Sequence, residues 1–159
     1  MSLSIKIADA LDKAVGPFVP SLAVSADEGA HHITLDVTVA GPVGFSALGL
    51  LFRADGPERT IDQLKDWADR VAARVTYLME PLRVVEVDPV GVEVELRSAA
   101  PSQRNNVRAF YEIRLRRAGT LQLARVVYDN VSRTRRDEAF QMTREIIERL
   151  TDDLVDTAG

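Results

Sequence analysis

The 159-residue chain has no cysteine and only two histidines. Disulfides, thiol nucleophiles and cysteine-ligated metals are therefore excluded. His31 and His32 are adjacent. On a strand they point to opposite faces and cannot close on one ion, so no metal site is expected. Phosphate-binding glycine loops are also missing. Gly41, Gly44 and Gly49 have the spacing of neither a dinucleotide fingerprint nor a P-loop, and no Gly-Lys-Ser/Thr occurs. No serine sits in a G-x-S-x-G elbow. Ser46 follows Gly44-Phe45, but Ala47 and Leu48 continue a strand pattern where that motif needs a sharp turn. The chain thus shows no catalytic constellation, and no cofactor is expected. Long apolar runs are absent too. The longest, Ala47 to Phe52, falls well below the about 20 residues a membrane helix needs. The first residues carry Lys6, Asp9, Asp12 and Lys13 in place of an apolar signal core, so a cytoplasmic location and no membrane partner are expected.

What is present is an ordinary globular composition, 46% hydrophobic and 28% charged. A chain of this size can bury roughly 70% of the surface its unfolded form exposes. One α+β domain over residues 1–159 is expected. Arginine outnumbers lysine 17 to 3. The arginines are unevenly placed. Residues 104–136 hold nine of them against two acids, Glu112 and Asp129, a local balance of +7 in a chain of net charge −4. Such polarity selects partners.

Periodicity suggests the elements. Ser4 could cap a first helix with Ile5, Ala8, Leu11 and Val15 inward, stopped by Gly16-Pro17. Residues 17–30 have no period and read as a connection. Ile33, Leu35, Val37 and Val39 alternate with polar residues as in a half-buried strand, and Phe45 to Phe52 reads as a doubly covered strand. Thr60 and Gln63 form a capping box opening an amphipathic helix that includes Leu64, Trp67 and Val71 and ends by Pro81. Two hairpins follow. In the first, a two-residue loop sets Val87 against Val92, Val85 against Val94 and Glu86 against Glu93. In the second, a three-residue loop ending at Gly119 sets Leu115 against Leu121 and Ile113 against Leu123. Residues 133–136 read as a basic connection. A last helix lies within 137–156, with Phe140, Ile147, Leu150 and Leu154 inward, although Phe140 and Met142 also alternate as a strand would. The expected fold is α+β, a single antiparallel sheet of about six strands in the order α-β-β-α-β-β-β-β-α, with helices packed mainly on one face. This order is loosely similar to that of the type III secretion chaperones, small acidic α+β dimers, though no motif residue carries the likeness.

Three constellations stand out. Glu86, Asp88, Glu93 and Glu95 could gather around a hard cation. More simply, they could pair with Arg114 and Arg116 across neighbouring strands. The outward face of the second hairpin gathers Arg108, Phe110, Arg114, Val126 and Tyr128, the mixture found in interface cores, and suggests a homodimer or another protein partner. Arg125 is the odd residue. It falls on the inward face opposite Tyr111, between Leu123 and Val127. Either the strand bulges and releases it to solvent, or its guanidinium fork waits for a carboxylate or phosphate between sheet and helices. The leading expectation is a non-catalytic protein-binding or chaperone-like adaptor. The alternatives are an anion pocket anchored by Arg125 and Tyr111, and nucleic-acid binding by the arginine-rich hairpin, which the overall acidity opposes.

Overall fold

The computed structural model describes residues 1–98 and 102–158. In chain order the elements are α1 (Leu3–Lys13), β1 (Gly16–Glu28), β2 (His31–Ala40), β3 (Gly44–Ala54), α2 (Ile61–Arg74), β4 (Leu82–Asp88), β5 (Glu93–Ser98), β6 (Ser102–Arg104), β7 (Val107–Arg116), β8 (Thr120–Asp129), β9 (Thr134–Glu138), β10 (Phe140–Thr143) and α3 (Arg144–Ala158). The fold is α+β, built on one antiparallel sheet with three helices. The main path runs β1-β2-β3-β8-β7-β5-β4, with β10 beside β3, β6 beside β7 and β9 beside β8, so among the described residues the sheet has ten strands where about six are expected from sequence.

Two of the extra strands, β1 and β9, have no apolar period. Residues 17–30 are mostly β1, an edge strand that pairs only β2 and slips register between Pro17 and Leu22. Val19 on it is 96% exposed. A strand open to water on its outer edge and carrying prolines has no reason to alternate. The basic segment 134–138 is also a strand, paired with β8 and solvent-exposed along most of its length. Phe140 and Met142 belong to β10, and the last helix starts only at Arg144.

β9 and β10 form one bent strand that fills a fork in the sheet. β3 and β8 pair through Leu50–Arg53 and Thr120–Leu123, then separate. Beyond that point β8 pairs β9 through Arg125–Asp129, while β3 pairs β10 through Gly44–Ala47. The insertion is tight, since a Cβ on Gly44 would lie 2.5 Å from the Met142 carbonyl oxygen.

The helices bury one face of the sheet. α2 begins as expected, with Thr60 Oγ1 accepting from Gln63 N and Gln63 Oε1 accepting from Thr60 N. It buries Leu64, Trp67, Ala68 and Val71 but ends at Arg74, well before Pro81. α1 is capped by Ser2 rather than Ser4 and buries Leu3, Ile7, Ala8 and Leu11, leaving Ile5 46% exposed. The residues 3–7–11 make the narrower apolar stripe, and Ile5 lies off it. Acids near the C-terminus of α3 oppose the helix dipole. Here Arg74 answers them, with Nε 3.0 Å from Asp153 and Nη2 2.8 Å from Asp156.

The second hairpin keeps the expected register: Leu115 faces Leu121, Ile113 faces Leu123 and Tyr111 faces Arg125. Gly119 takes φ +81° in its loop, a backbone region that favours glycine. The first hairpin differs. Its turn is longer, with Asp88 Oδ1 accepting from Val90 N and Gly91 N and Val92 at φ +53°. Val87 therefore faces Val94, and Glu86 faces Glu95 rather than Glu93. A register shift between Val84 and Glu86 leaves Val85 43% exposed instead of opposite Val94. The outer face of β3 is also more open than a doubly covered strand would be, as Leu51 is 44% exposed.

Candidate functional site

The arginine island divides between the two faces of the β7–β8 ribbon. On the outer face, β5 lies beside β7 and opposes charges directly: Glu93 to Arg116, Glu95 to Arg114 and Arg97 to Glu112. Arg114 lies 2.9 Å from Glu112, 3.1 Å from Glu95 and 3.2 Å from Glu93. Arg97 lies 3.0 Å from Glu95, and Arg135 donates to both oxygens of Glu112 at 3.0 Å. Burial pushes the Glu112 carboxyl up, but hydrogen bonds from Arg135 and Arg114 outweigh it and hold the group below its ordinary range. Burial pushes Glu95 up, and the neighbouring charge of Glu112 adds to this. Of the acids that could have gathered a cation, Glu93 and Glu95 are tied up in ion pairs with arginine, and Asp88 accepts backbone N–H bonds in its turn. Among the described residues no group of three or more His, Asp or Glu is placed to hold a metal.

The proposed interface residues lie on this same face. Phe110 is 7% exposed and Val126 only 1%, so both are covered within the chain. The Arg97 guanidinium sits 5.1 Å over the Phe110 ring. Arg135 reaches diagonally across β8 from its place opposite Tyr128 to Glu112 opposite Ala124, and Val126 lies between. Arg108 stacks 5.1 Å over Tyr128. What this face offers a partner is Arg108, Arg114 and Tyr128 at its surface.

Arg125 occupies the inner face at the fork of the sheet. It is the second β8 residue past the last one paired with β3, and its direct neighbours are Tyr111 on β7 and Glu138 on β9. It does not escape to solvent, being 8% exposed. Its guanidinium lies 4.8 Å from the centre of the Tyr111 ring. Its Nε is 3.8 Å from a Glu138 oxygen, an ion pair too long for a hydrogen bond. Its Nη1 is buried and has no hydrogen-bond partner. An unmet N–H on a desolvated cation is costly and calls for an explanation.

Beside Arg125 lies a cavity of about 360 Å³. Tyr111, Arg125, Phe140 and Met142 come from the sheet. Tyr77, Leu78 and Met79 come from the connection after α2, and Thr143 and Ile146 from the start of α3. Thr143 Oγ1 caps this helix by accepting from Ile146 N, so the helix's positive end borders the space. Burial raises the Tyr111 hydroxyl above its usual value although Arg125 opposes the shift. Tyr111 is therefore a neutral phenol at physiological pH. Tyr77 donates to Asp153 Oδ2 at 2.6 Å and is likewise held protonated, by burial first and by that hydrogen bond second. Met79 is 69% exposed, so the cavity reaches the surface there, and its backbone adopts φ +53°, uncommon for a residue with a side chain.

The structure thus brings Arg125 and Tyr111 together in one cavity. Their partners from the α2–β4 connection and from α3 carry no sequence signal of this role. The earlier end of α2 is what frees Tyr77, Leu78 and Met79 to form a wall.

The histidines diverge as expected. His31 stacks on Phe52 at 5.9 Å. His32 joins two elements, with Nδ1 2.6 Å from Asp27 and Nε2 2.8 Å from Asp55. Hydrogen bonds to Asp55 and Asp27 raise its pKa. No helix among the described residues is long and apolar enough to cross a membrane. Comparison with known protein families, curated proteins and solved structures finds no match.

Proposed function

We propose that this chain is a non-catalytic binding domain that takes a small anionic ligand into the cavity at the fork of the sheet. The observation that carries the reading is Arg125: almost fully buried, beside open volume, with Nη1 hydrogen-bonded to nothing. A ligand oxygen that draws the guanidinium a short way toward the cavity would meet the donor that the fold leaves unmet. The guanidinium carbon lies 4.8 Å from the Tyr111 ring centre, a cation–π contact that uses none of the guanidinium N–H donors in a conventional hydrogen bond. The cavity lining supports binding over catalysis. Its two tyrosines stay protonated, and the Thr143 hydroxyl is engaged as a helix cap. The Tyr77 hydroxyl does meet a carboxylate, Asp153, but burial and that bond hold it protonated.

The rival reading is a protein-binding module or homodimer joined through Arg108, Phe110, Arg114, Val126 and Tyr128. It draws less support because Phe110 and Val126 are already covered. Nucleic-acid binding draws less again, since Glu93, Glu95 and Glu112 neutralise much of the outer arginine face. The deciding experiment follows the Arg125 Nε–Hε resonance by NMR during titration with small monoanions. A saturable shift of that resonance supports the reading. No response at any concentration that preserves the fold removes it.

A further inference from the structure

Resting on that reading, we infer that the ligand is a monocarboxylate on an apolar body. The charge balance decides the first half. Arg125 is the full cation lining the cavity, and the α3 N-terminus adds a partial positive charge. Arg149 lies over the Tyr77 ring and pairs with it, and Glu138, 3.8 Å from the Arg125 Nε, offsets part of Arg125. Glu80 adds negative potential at Tyr111. Such a site compensates one negative charge. The second charge of a phosphate dianion would be desolvated near Glu138 without a cation of its own. A flat carboxylate also matches the planar fork of a guanidinium better than a tetrahedral phosphate dianion needing further donors.

The walls decide the second half. Leu78, Met79, Phe140, Met142 and Ile146 supply the apolar lining. Leu78, Phe140 and Met142 are 3%, 2% and 6% exposed, so that part of the lining is set in the core. Beside Arg125, the polar side chains of the lining are Tyr77 and Tyr111 and, exposed at the rim, Gln141 and Thr143. An apolar lining around one convergent cation is the arrangement of a site for an amphipathic acid. The methionines add adaptable side chains that can close around a chain of variable shape.

The test is calorimetric titration of the whole protein with octanoate, octanol, octyl phosphate and inorganic phosphate. A short peptide ending in leucine, with its C-terminus free or amidated, separates the two natural sources of such a carboxylate. Octanoate or the free-terminus peptide should bind, and octanol and the amidated peptide should bind about 10- to 100-fold more weakly, the worth of a charge-assisted hydrogen bond. Arg125→Met should lose the same factor, and Arg125→Lys should recover part of it. Ile146→Trp should block octanoate by filling the cavity while leaving the guanidinium in place. Tighter, Arg125-dependent binding of either phosphate compound overturns this inference but keeps the anion-site reading. Equal binding of octanoate and octanol, or no Arg125-dependent binding by any compound, overturns both.

Discussion

The two faces of the β7–β8 ribbon use the same residue in opposite ways. Outside, Arg114 faces Glu95 across the strands, Arg135 reaches diagonally from beside Tyr128, and with Arg97 they surround Glu112. Inside, Arg125 faces an aromatic ring and a distant carboxylate, and one of its nitrogens bonds to nothing. The outer arginines are numerous and share close carboxylates, although Arg97 Nε, 3.6 Å from Glu112, is also left without a hydrogen bond. The inner one is solitary, its carboxylate 3.8 Å away and a cavity beside it. A local charge of +7 therefore says little about what the domain binds. The informative arginine is the one whose cross-strand partners leave donors over.

If the outer lattice is structural, its centre should be its most sensitive point. Glu112→Gln leaves the surrounding guanidinium groups without their shared carboxylate. A loss of roughly 2–4 kcal/mol is expected, below the full cost of breaking a buried pair because the arginines keep access to water. Urea unfolding should show a lower midpoint at unchanged slope. Because the Glu112 carboxyl is held low in the fold, its contribution is present above the unfolded carboxylate pKa and lost as pH falls through the folded value. The deficit of the variant should therefore shrink in acid. Arg114→Met comes next, at roughly 1–3 kcal/mol, since it deprives Glu93, Glu95 and Glu112 of a common donor. Glu95→Gln should change stability by less than about 1 kcal/mol at neutral pH. The Glu95 carboxyl is pushed up in the fold, so the wild type gives up stability as pH rises from the ordinary carboxylate range through the raised value, and the glutamine variant does not. His32→Gln should be smallest. The raised folded pKa of His32 means its contribution is complete below the unfolded value and lost as pH rises through the folded one. Thermal melts should show a small deficit near pH 6 that shrinks as pH rises through the folded value of His32.

The second hairpin was legible because the two-residue alternation from Val107 to Tyr128 and the left-handed Gly119 demand one register. The position of Arg125 opposite Tyr111 followed from it. The capping box of α2 was equally legible, since Thr60 and Gln63 meet through local geometry alone. β1 and β9 were hidden because strands with so much exposed surface need no apolar period. The first hairpin misled because Asp88 builds a turn longer than two residues. The cavity itself could not be read from sequence. It arises where β3 and β8 part and where Leu78 and Ile146, 68 positions apart in the chain, close the space over Arg125. Only the unexplained inward charge signalled it.

The central claim is that Arg125 is kept for a ligand and not for the fold. Thermal unfolding of the wild type and of Arg125→Met, each with and without octanoate, tests this most directly. The account predicts that the variant alone melts at or above the wild-type temperature, because methionine replaces an incompletely paired buried cation. It also predicts that octanoate raises only the wild-type midpoint. A variant destabilised as much as Arg114→Met, with octanoate shifting neither protein, would contradict it.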